Sequence, residues 1–126
     1  MYNFLKGIKM IAVPIKLNKE DSAVAPLFGK AKWFAFANEE GEITIEKNEA
    51  KQGSAVVSWL LDKGVEVLLM QRMSESPYRM IEEEGSITIF YVGNERIELK
   101  EALKKYADEL LVIVDDSNAH EIIKTK

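Results

Sequence analysis

The 126-residue chain contains no cysteine and a single histidine, His120. The absence of thiols excludes disulfides, thiolate nucleophiles, and iron–sulfur or structural zinc sites built from the chain's own sulfur. A reducing compartment is compatible with this composition. His120 lies near Asp115 and Asp116 in a polar stretch, where a solvated side chain is a commoner outcome than a metal ligand. The sequence therefore predicts no metal site formed by its own side chains.

The chain also lacks a run of basic residues and a long apolar segment. Its net charge is −4, so no overall positive field attracts nucleic acid. The apolar stretch 4–13 is interrupted by Lys6 and Lys9 and is too short to cross a bilayer. No small-residue cleavage site follows it, as a signal peptide would require. We therefore expect a cytoplasmic protein that binds neither nucleic acid nor membranes.

Several familiar catalytic motifs are missing as well. The chain has no G-x-S-x-G nucleophile elbow, no G-x-G-x-x-G pattern and no phosphate-binding G-x-x-x-x-G-K-[ST] pattern. The stretch 8–14, which we predict to be the first strand, contains no Asp or Glu, although two-metal phosphoryl chemistry needs clustered carboxylates. Glu82, Glu83 and Glu84 end a predicted helix and are interpreted as solvated charge or a partner contact. We therefore expect a protein that is not an enzyme.

The composition that is present indicates one globular domain. Apolar residues make up 47% of the chain and charged residues 30%, and the length is that of a common single domain. No repeat, low-complexity tract or linker divides the sequence. We predict a single domain over 1–126, with a core at about 8–111 and a polar C-terminal tail at about 115–126.

Apolar periodicity predicts the order strand, long loop, β-hairpin, and then alternating helices and strands. Gly64 and Gly85 are placed to end helices, and Ser76 with Pro77 is placed to begin one, with the serine as N-cap. Residues 112–114 fit either a final strand or the frayed end of the last helix. Strands are predicted at 8–14, 32–38, 42–47, 65–70 and 87–92, and helices at 54–63, 77–84 and 99–111.

This order predicts a mixed sheet with helices packed on it. A strand–helix–strand unit makes a parallel pair, whereas the hairpin adds antiparallel strands. In such sheets, ligands bind outside the carboxyl ends of the parallel strands. Those ends lead into the loops 14–31 and 71–76, and the turn 48–54 is expected to join them.

The same loops carry a resemblance to a known family. The stretch 22–31 (SAVAPLFGKA), followed by Phe34, resembles the signature S-x-x-x-x-H-F-G-x-A-x-x-F of the dinitrogenase iron–molybdenum cofactor biosynthesis family. Further similar segments follow in the family's order over about residues 8–111. They are Gly53-Ser-Ala55, 63–69 (KGVEVLL), Pro77, 85–90 (GSITIF) and 99–106 (LKEALKKY).

The resemblance implies a ribonuclease H-like α/β fold and a role in carrying anionic metal–sulfur clusters for cofactor assembly. It thereby suggests an iron–molybdenum–sulfur cluster or its precursor as cargo, and a cofactor-assembly protein as partner. The chain departs from the family at Leu27, where the family has histidine, and in 71–76, which lacks the family's glycine before Pro77. A leucine has no lone pair to donate to a metal, so the fold can be inherited without the ligand chemistry.

Each candidate binding residue has a functional and a purely structural interpretation. Gly29 either brings backbone close to a ligand or occupies a turn. The helix start at Gly53 either binds an anion, with charge added by Lys51 or Arg72, or is an ordinarily capped end. Met73 either contacts a thiometallate or fills a gap in the core. The candidate cofactor-binding residues are Phe28, Gly29, Gly53, Ser54, Arg72 and Met73.

Two hypotheses follow from the sequence. The first is a small binding or carrier protein that holds an anionic metal–sulfur cluster, or a related anion, at the loop edge of the sheet. The second is a protein-interaction module on the same fold whose ligand site has decayed. A homodimer formed through a strand edge, or through the apolar residues 112–114, is a further prediction.

Overall fold

The computed structural model describes residues 10–50 and 52–124. Lys51, the predicted strand residues 8 and 9, and the last two residues of the predicted tail lie outside the described residues. The elements are β1 (Met10–Ile15), β2 (Trp33–Asn38), β3 (Ile43–Lys47), α1 (Gly53–Asp62), β4 (Val67–Met70), β5 (Met73–Ser74), α2 (Glu75–Glu84), β6 (Thr88–Tyr91), α3 (Leu99–Ala107), β7 (Val112–Ile113), α4 (Ala119–Ile122) and β8 (Ile123–Lys124).

A six-stranded mixed sheet in the order β3-β2-β1-β4-β6-β7 forms the centre of the fold. Strands β1, β4 and β6 are parallel neighbours, and β2, β3 and β7 pair antiparallel. The predicted hairpin, the parallel pairs and the α/β class with helices packed on a mixed sheet are confirmed. The narrower ribonuclease H-like label stays a prediction.

Both faces of the sheet are covered, which explains why its central strands are apolar throughout. On one face, α1 and α2 pack with Phe34 and Phe36 of β2. On the other face, α3 packs with Ala35 and Ala37 of the same strand. Alternate residues of β2 therefore belong to two different core clusters, as the period of two in a strand requires.

Helix α2 begins one residue before the predicted serine. Ser74 is its N-cap and Glu75 its first residue, so the predicted Ser76 cap is wrong. Pro77 is consequently the third helical residue, a position where the missing N–H costs nothing because no intrahelical acceptor is available. The predicted end is confirmed, since Gly85 adopts a left-handed φ of 86°.

Helix α3 is shorter than its apolar spacing predicts. It ends at Ala107, and Glu109 takes a positive φ of 60° just beyond it. Leu110 continues the spacing of the helix but is 66% exposed. The open alternative for 112–114 is decided by pairing, because Val112 and Ile113 form β7 against β6.

The stretch from Asp115 is not the polar tail that its composition predicts. It contains α4 and β8, and β8 pairs in parallel with β5. Val114 and Ile123 are both buried in the core cluster that α1 and α2 cover. The burial of these two apolar residues supplies the packing energy that composition alone did not reveal.

Candidate functional site

The loop 16–31 crosses the carboxyl ends of the parallel strands and is bonded to loops on both sides. On one side, the N–H of Val24 donates to the carbonyl of Ile97 (2.8 Å). On the other side, the N–H of Phe28 donates to the carbonyl of Arg72 (2.9 Å), and Leu27 forms a parallel bridge with Arg72. The loops that the sequence assigned to the ligand edge are therefore joined by backbone hydrogen bonds.

Ser22 holds the start of this loop in place. Its buried Oγ accepts hydrogen bonds from the N–H groups of Lys16 (3.1 Å) and Leu17 (2.9 Å) and donates one to the carbonyl of Ala23 (2.8 Å). Sequence reasoning did not assign this role. The available signal was the position of Ser22 at the start of the family-like stretch, where a short hydroxyl side chain can bond to nearby backbone.

Gly29 and Gly53 meet where this loop reaches helix α1. A Cβ atom at Gly29 would lie 3.3 Å from the Cα of Gly53, and a Cβ at Gly53 would lie 2.9 Å from the Cγ of Pro77. Gly29 is not among the residues with positive φ, so close approach explains the glycine. These contacts bring the 3₁₀ turn Phe28–Lys30, the start of α1 and the first turn of α2 together.

The start of α1 presents unpaired backbone donors. Its N-cap, Gln52, makes no side-chain capping bond. Within residues 10–50 and 52–124, the N–H groups of Gly53 and Ser54 have no hydrogen-bond acceptor. Because free N–H groups and the helix dipole both favour negative charge, this helix end is suited to an anion.

Exposed side chains at this edge include one apolar residue and two cations. Leu27 is 42% exposed, and Lys30 and Arg72 are exposed as well. Neither cation forms an ion pair with any residue that the structure describes. The edge therefore combines backbone donors with two cations that have no ion-pair partner among residues 10–50 and 52–124.

Two of the candidate binding residues have buried side chains. Phe28 packs edge-on against Phe34, with ring centroids 5.8 Å apart. Met73 lies in the same core cluster, next to Ile123 of β8. Neither of these side chains is accessible to a ligand at this edge, whereas Gly53, Ser54 and Arg72 are at least partly accessible.

A cleft of about 390 Å³ lies away from this edge, between α2 and the C-terminal segment. The Tyr78 hydroxyl donates to Asp116 Oδ1 there (3.1 Å). Burial, assisted by this hydrogen bond, raises the pKa of Tyr78 to about 12. The phenol is therefore protonated near neutral pH and acts as a hydrogen-bond donor to the carboxylate.

The remaining charged candidates are open to solvent. The His120 side chain is 74% exposed, with its Nε2 3.8 Å from Glu121 Oε2. Glu82, Glu83 and Glu84 are all exposed, and hydrogen bonds from Ser86 lower the pKa of Glu84. Among the described residues, no three His, Asp or Glu side chains cluster as a metal site would require.

The described helices include none that is long and apolar enough to cross a membrane. This agrees with the short, charge-interrupted apolar stretches of the sequence.

Solved structures share this fold. The apo orange protein from Desulfovibrio gigas is 17% identical with a TM-score of 0.74, covering 85% of this chain and 93% of its own. A Thermotoga protein provisionally named as a NifB protein is 22% identical with a TM-score of 0.72, covering 84% and 93%. A Methanocaldococcus jannaschii protein provisionally named as a dinitrogenase is 13% identical with a TM-score of 0.63, covering 86% and 96%. At these identities the likeness shows the fold alone.

Comparison with protein families gives a more specific result. No curated protein sequence matches the chain significantly. The sequence profile described as dinitrogenase iron-molybdenum cofactor, however, matches residues 9–109. That range contains every motif on which the resemblance rested, and it spans most of the 126 residues. The chain therefore belongs to the dinitrogenase iron–molybdenum cofactor family.

Proposed function

We propose that the protein is a small non-catalytic carrier that binds an anionic metal–sulfur cluster, or a related anion, at the carboxyl edge of its sheet. The observation that carries this proposal is the junction of Gly29 and Gly53, where N–H groups of α1 that have no acceptor among the described residues lie close to the loop that Arg72 anchors. Family membership supports cofactor assembly as the setting. The proposal includes an assembly protein as partner and the cytoplasm as location, both of which stay predictions.

The available donors limit how such a cluster would be held. The edge offers main-chain N–H groups and the cations Lys30 and Arg72, but it offers no thiolate, and Leu27 occupies the family's histidine position. These groups fit an anion bound through hydrogen bonds and charge, and they do not fit direct ligation of iron or molybdenum. Binding should therefore weaken as ionic strength rises.

Tetrathiomolybdate, a coloured sulfur-rich dianion, is a suitable probe. We expect it to bind the wild-type protein at low salt, with a change in its visible absorbance, and we expect added NaCl to weaken binding. Replacing one exposed cation by the Arg72→Gln or Lys30→Gln substitution should weaken binding about two- to fivefold. Inorganic phosphate, titrated separately by calorimetry, distinguishes a general anion site from one that prefers sulfur.

Lys104→Gln is the matched control for Lys30→Gln, because it removes the same charge from α3, where Lys104 pairs with Asp108. An equal loss of affinity in this variant would indicate a non-specific effect of net charge. Absence of any binding by the wild-type protein at low salt would contradict the carrier proposal.

The exposed side chain of Leu27 favours the second candidate function, an interaction module with a decayed ligand site. It predicts that Leu27→His creates affinity for Co²⁺, which visible absorbance or calorimetry would detect. Because Leu27 is partly exposed, the free energy of unfolding should change by less than about 1 kcal/mol. Leu27→Gln is the control, and equal Co²⁺ binding by both variants would count against an ancestral pocket.

A further inference from the structure

The C-terminal clasp, defined here as residues 112–124, begins beyond the family match, which ends at residue 109. It consists of β7, α4 and β8, and it runs from one edge of the main sheet to β5. Because this ordered segment lies outside the family match, the resemblance does not indicate what it contributes to this chain.

Contacts at three points hold the clasp. The N–H of Val114 donates to the carbonyl of Ile89 (2.8 Å), and the Val114 side chain is buried. Asp116 accepts the hydrogen bond from the buried Tyr78. Ile123, only 8% exposed, pairs with Met73 through the β5–β8 ladder. The clasp is therefore anchored in the core at both ends.

A continuous path of backbone pairing leads from the clasp to the candidate anion site. Ile123 pairs with Met73 in β5, and Arg72 precedes Met73 directly. Arg72 in turn bridges to Leu27, and its carbonyl accepts the N–H of Phe28. Because β5 is only two residues long, it depends on pairing from outside for its alignment.

We infer that the clasp positions the loop 71–74, and with it Arg72 and the Phe28–Lys30 turn, at the anion site. Two positioning residues carry this effect. Ile123 aligns β5 by pairing with Met73, and Tyr78 of α2 holds the turn before α4 through its hydrogen bond to Asp116. Neither side chain is assigned a contact with the anion. The clasp should order the loop 71–74 whether or not an anion binds. Its expected influence on anion affinity rests on the proposed function.

Hydrogen exchange of single backbone amides tests the inference in the full-length protein. Ile123→Asp places a charge in a buried apolar position and should displace β8 from β5. We expect exchange of the Phe28 amide to accelerate at least tenfold, while the Leu68 amide in central strand β4 stays protected. Tetrathiomolybdate affinity should fall about fivefold in the same variant.

Milder variants and a control keep the result decisive. Tyr78→Phe and Ile123→Ala should each raise the exchange rate of the Phe28 amide, but less than Ile123→Asp does. Ile123→Val, which keeps a branched apolar side chain, should protect the Phe28 amide better than Ile123→Ala. Glu121→Ala, at an exposed position of the clasp, should leave the rate unchanged. They decide the outcome should Ile123→Asp fail to fold. Unchanged Phe28 exchange in Ile123→Ala, or equal acceleration at Phe28 and Leu68, would overturn the inference. If the wild-type protein binds no tetrathiomolybdate, the carrier proposal fails while the exchange data still decide the role of the clasp.

Discussion

Gly53 shows how one missing side chain can serve both packing and binding. Its Cα faces the ring of Pro77 and the backbone of Gly29, so that three segments converge at one point. The same residue starts α1, and its N–H, which has no acceptor within the described part of the chain, belongs to the candidate site. A side chain at this position would push apart the elements that define the ligand edge.

We predict that Gly53→Ala lowers the free energy of unfolding by about 1–2 kcal/mol. The new Cβ would lie 2.9 Å from the Cγ of Pro77, and relieving that overlap should cost more than alanine gains in helix propensity. Urea denaturation measures the difference. Ser58→Ala, at an exposed position of the same helix, should change stability by less than about 0.5 kcal/mol.

A double-mutant cycle isolates the cause of this loss. In a Pro77→Ala background the ring is gone, so adding Gly53→Ala should cost clearly less than in the wild-type protein. Equal costs in both backgrounds would show that contact with the proline ring is not the source of the strain.

At the scale of an element, α2 ends in three acidic residues although its C-terminus favours positive charge. Burial, followed by the carboxylates of Asp116 and Asp115, raises the pKa of Glu82. A carboxyl group whose pKa is raised by folding binds its proton more tightly in the folded state. Its contribution to stability therefore falls as pH rises from the unfolded-state pKa through the folded-state pKa.

Glu82→Gln should accordingly stabilise the protein at pH 7. The gain should be at most about 0.5 kcal/mol because the side chain is largely exposed. It should disappear toward about pH 3, where the wild-type glutamate is protonated in both states. Thermal unfolding at several pH values measures this dependence. Glu83→Gln, at the neighbouring exposed position, is the control, and a gain that persists at low pH would rule out the electrostatic cause.

At the scale of the whole molecule, one sheet separates two core clusters. Trp59 packs on one face, where its ring centroid lies 5.4 Å from that of Phe36. Trp33 packs against the cluster on the other face. Strand β2 contributes to both clusters, so neither can unfold without exposing part of the other. This arrangement should make the unfolding of the domain cooperative.

We expect a tryptophan on either face of the sheet to report the same urea midpoint as the chain as a whole. Trp33→Phe leaves Trp59 as the probe of one cluster, and Trp59→Phe leaves Trp33 as the probe of the other. In each variant, the fluorescence midpoint should coincide with that of far-ultraviolet circular dichroism, which reports on the whole chain. Separate midpoints within one variant would indicate two cooperative units instead of a single domain.

Self-association also belongs to the whole molecule and stays a prediction. Leu110, Val112 and Ile113 are exposed near the β7 edge. The carbonyl of Ile113 already accepts a hydrogen bond from Asn118 Nδ2 (2.9 Å), which reduces the pairing that this edge offers to a second chain.

Local signals in the sequence determined most of the architecture. Alternation of side chains marked the hairpin, Gly64 and Gly85 marked the ends of two helices, and short apolar runs marked the parallel strands. From this order the candidate ligand edge followed, because the direction of parallel strands dictates which loops share an edge. The family came from a separate signal, the resemblance of short motifs that occur in the family's order. These features depend on neighbours along the chain, which a sequence displays directly.

Tertiary contacts decided the remainder. Helix α2 begins directly after Ser74 of β5, and α3 ends in a turn that leaves Leu110 exposed. The clasp is ordered because Val114 and Ile123 are buried against residues that are distant in the sequence. The contact between Gly53 and Pro77 likewise joins residues 24 positions apart. Such features arise from free energy gained between distant segments, and no local period or composition records which segments will meet.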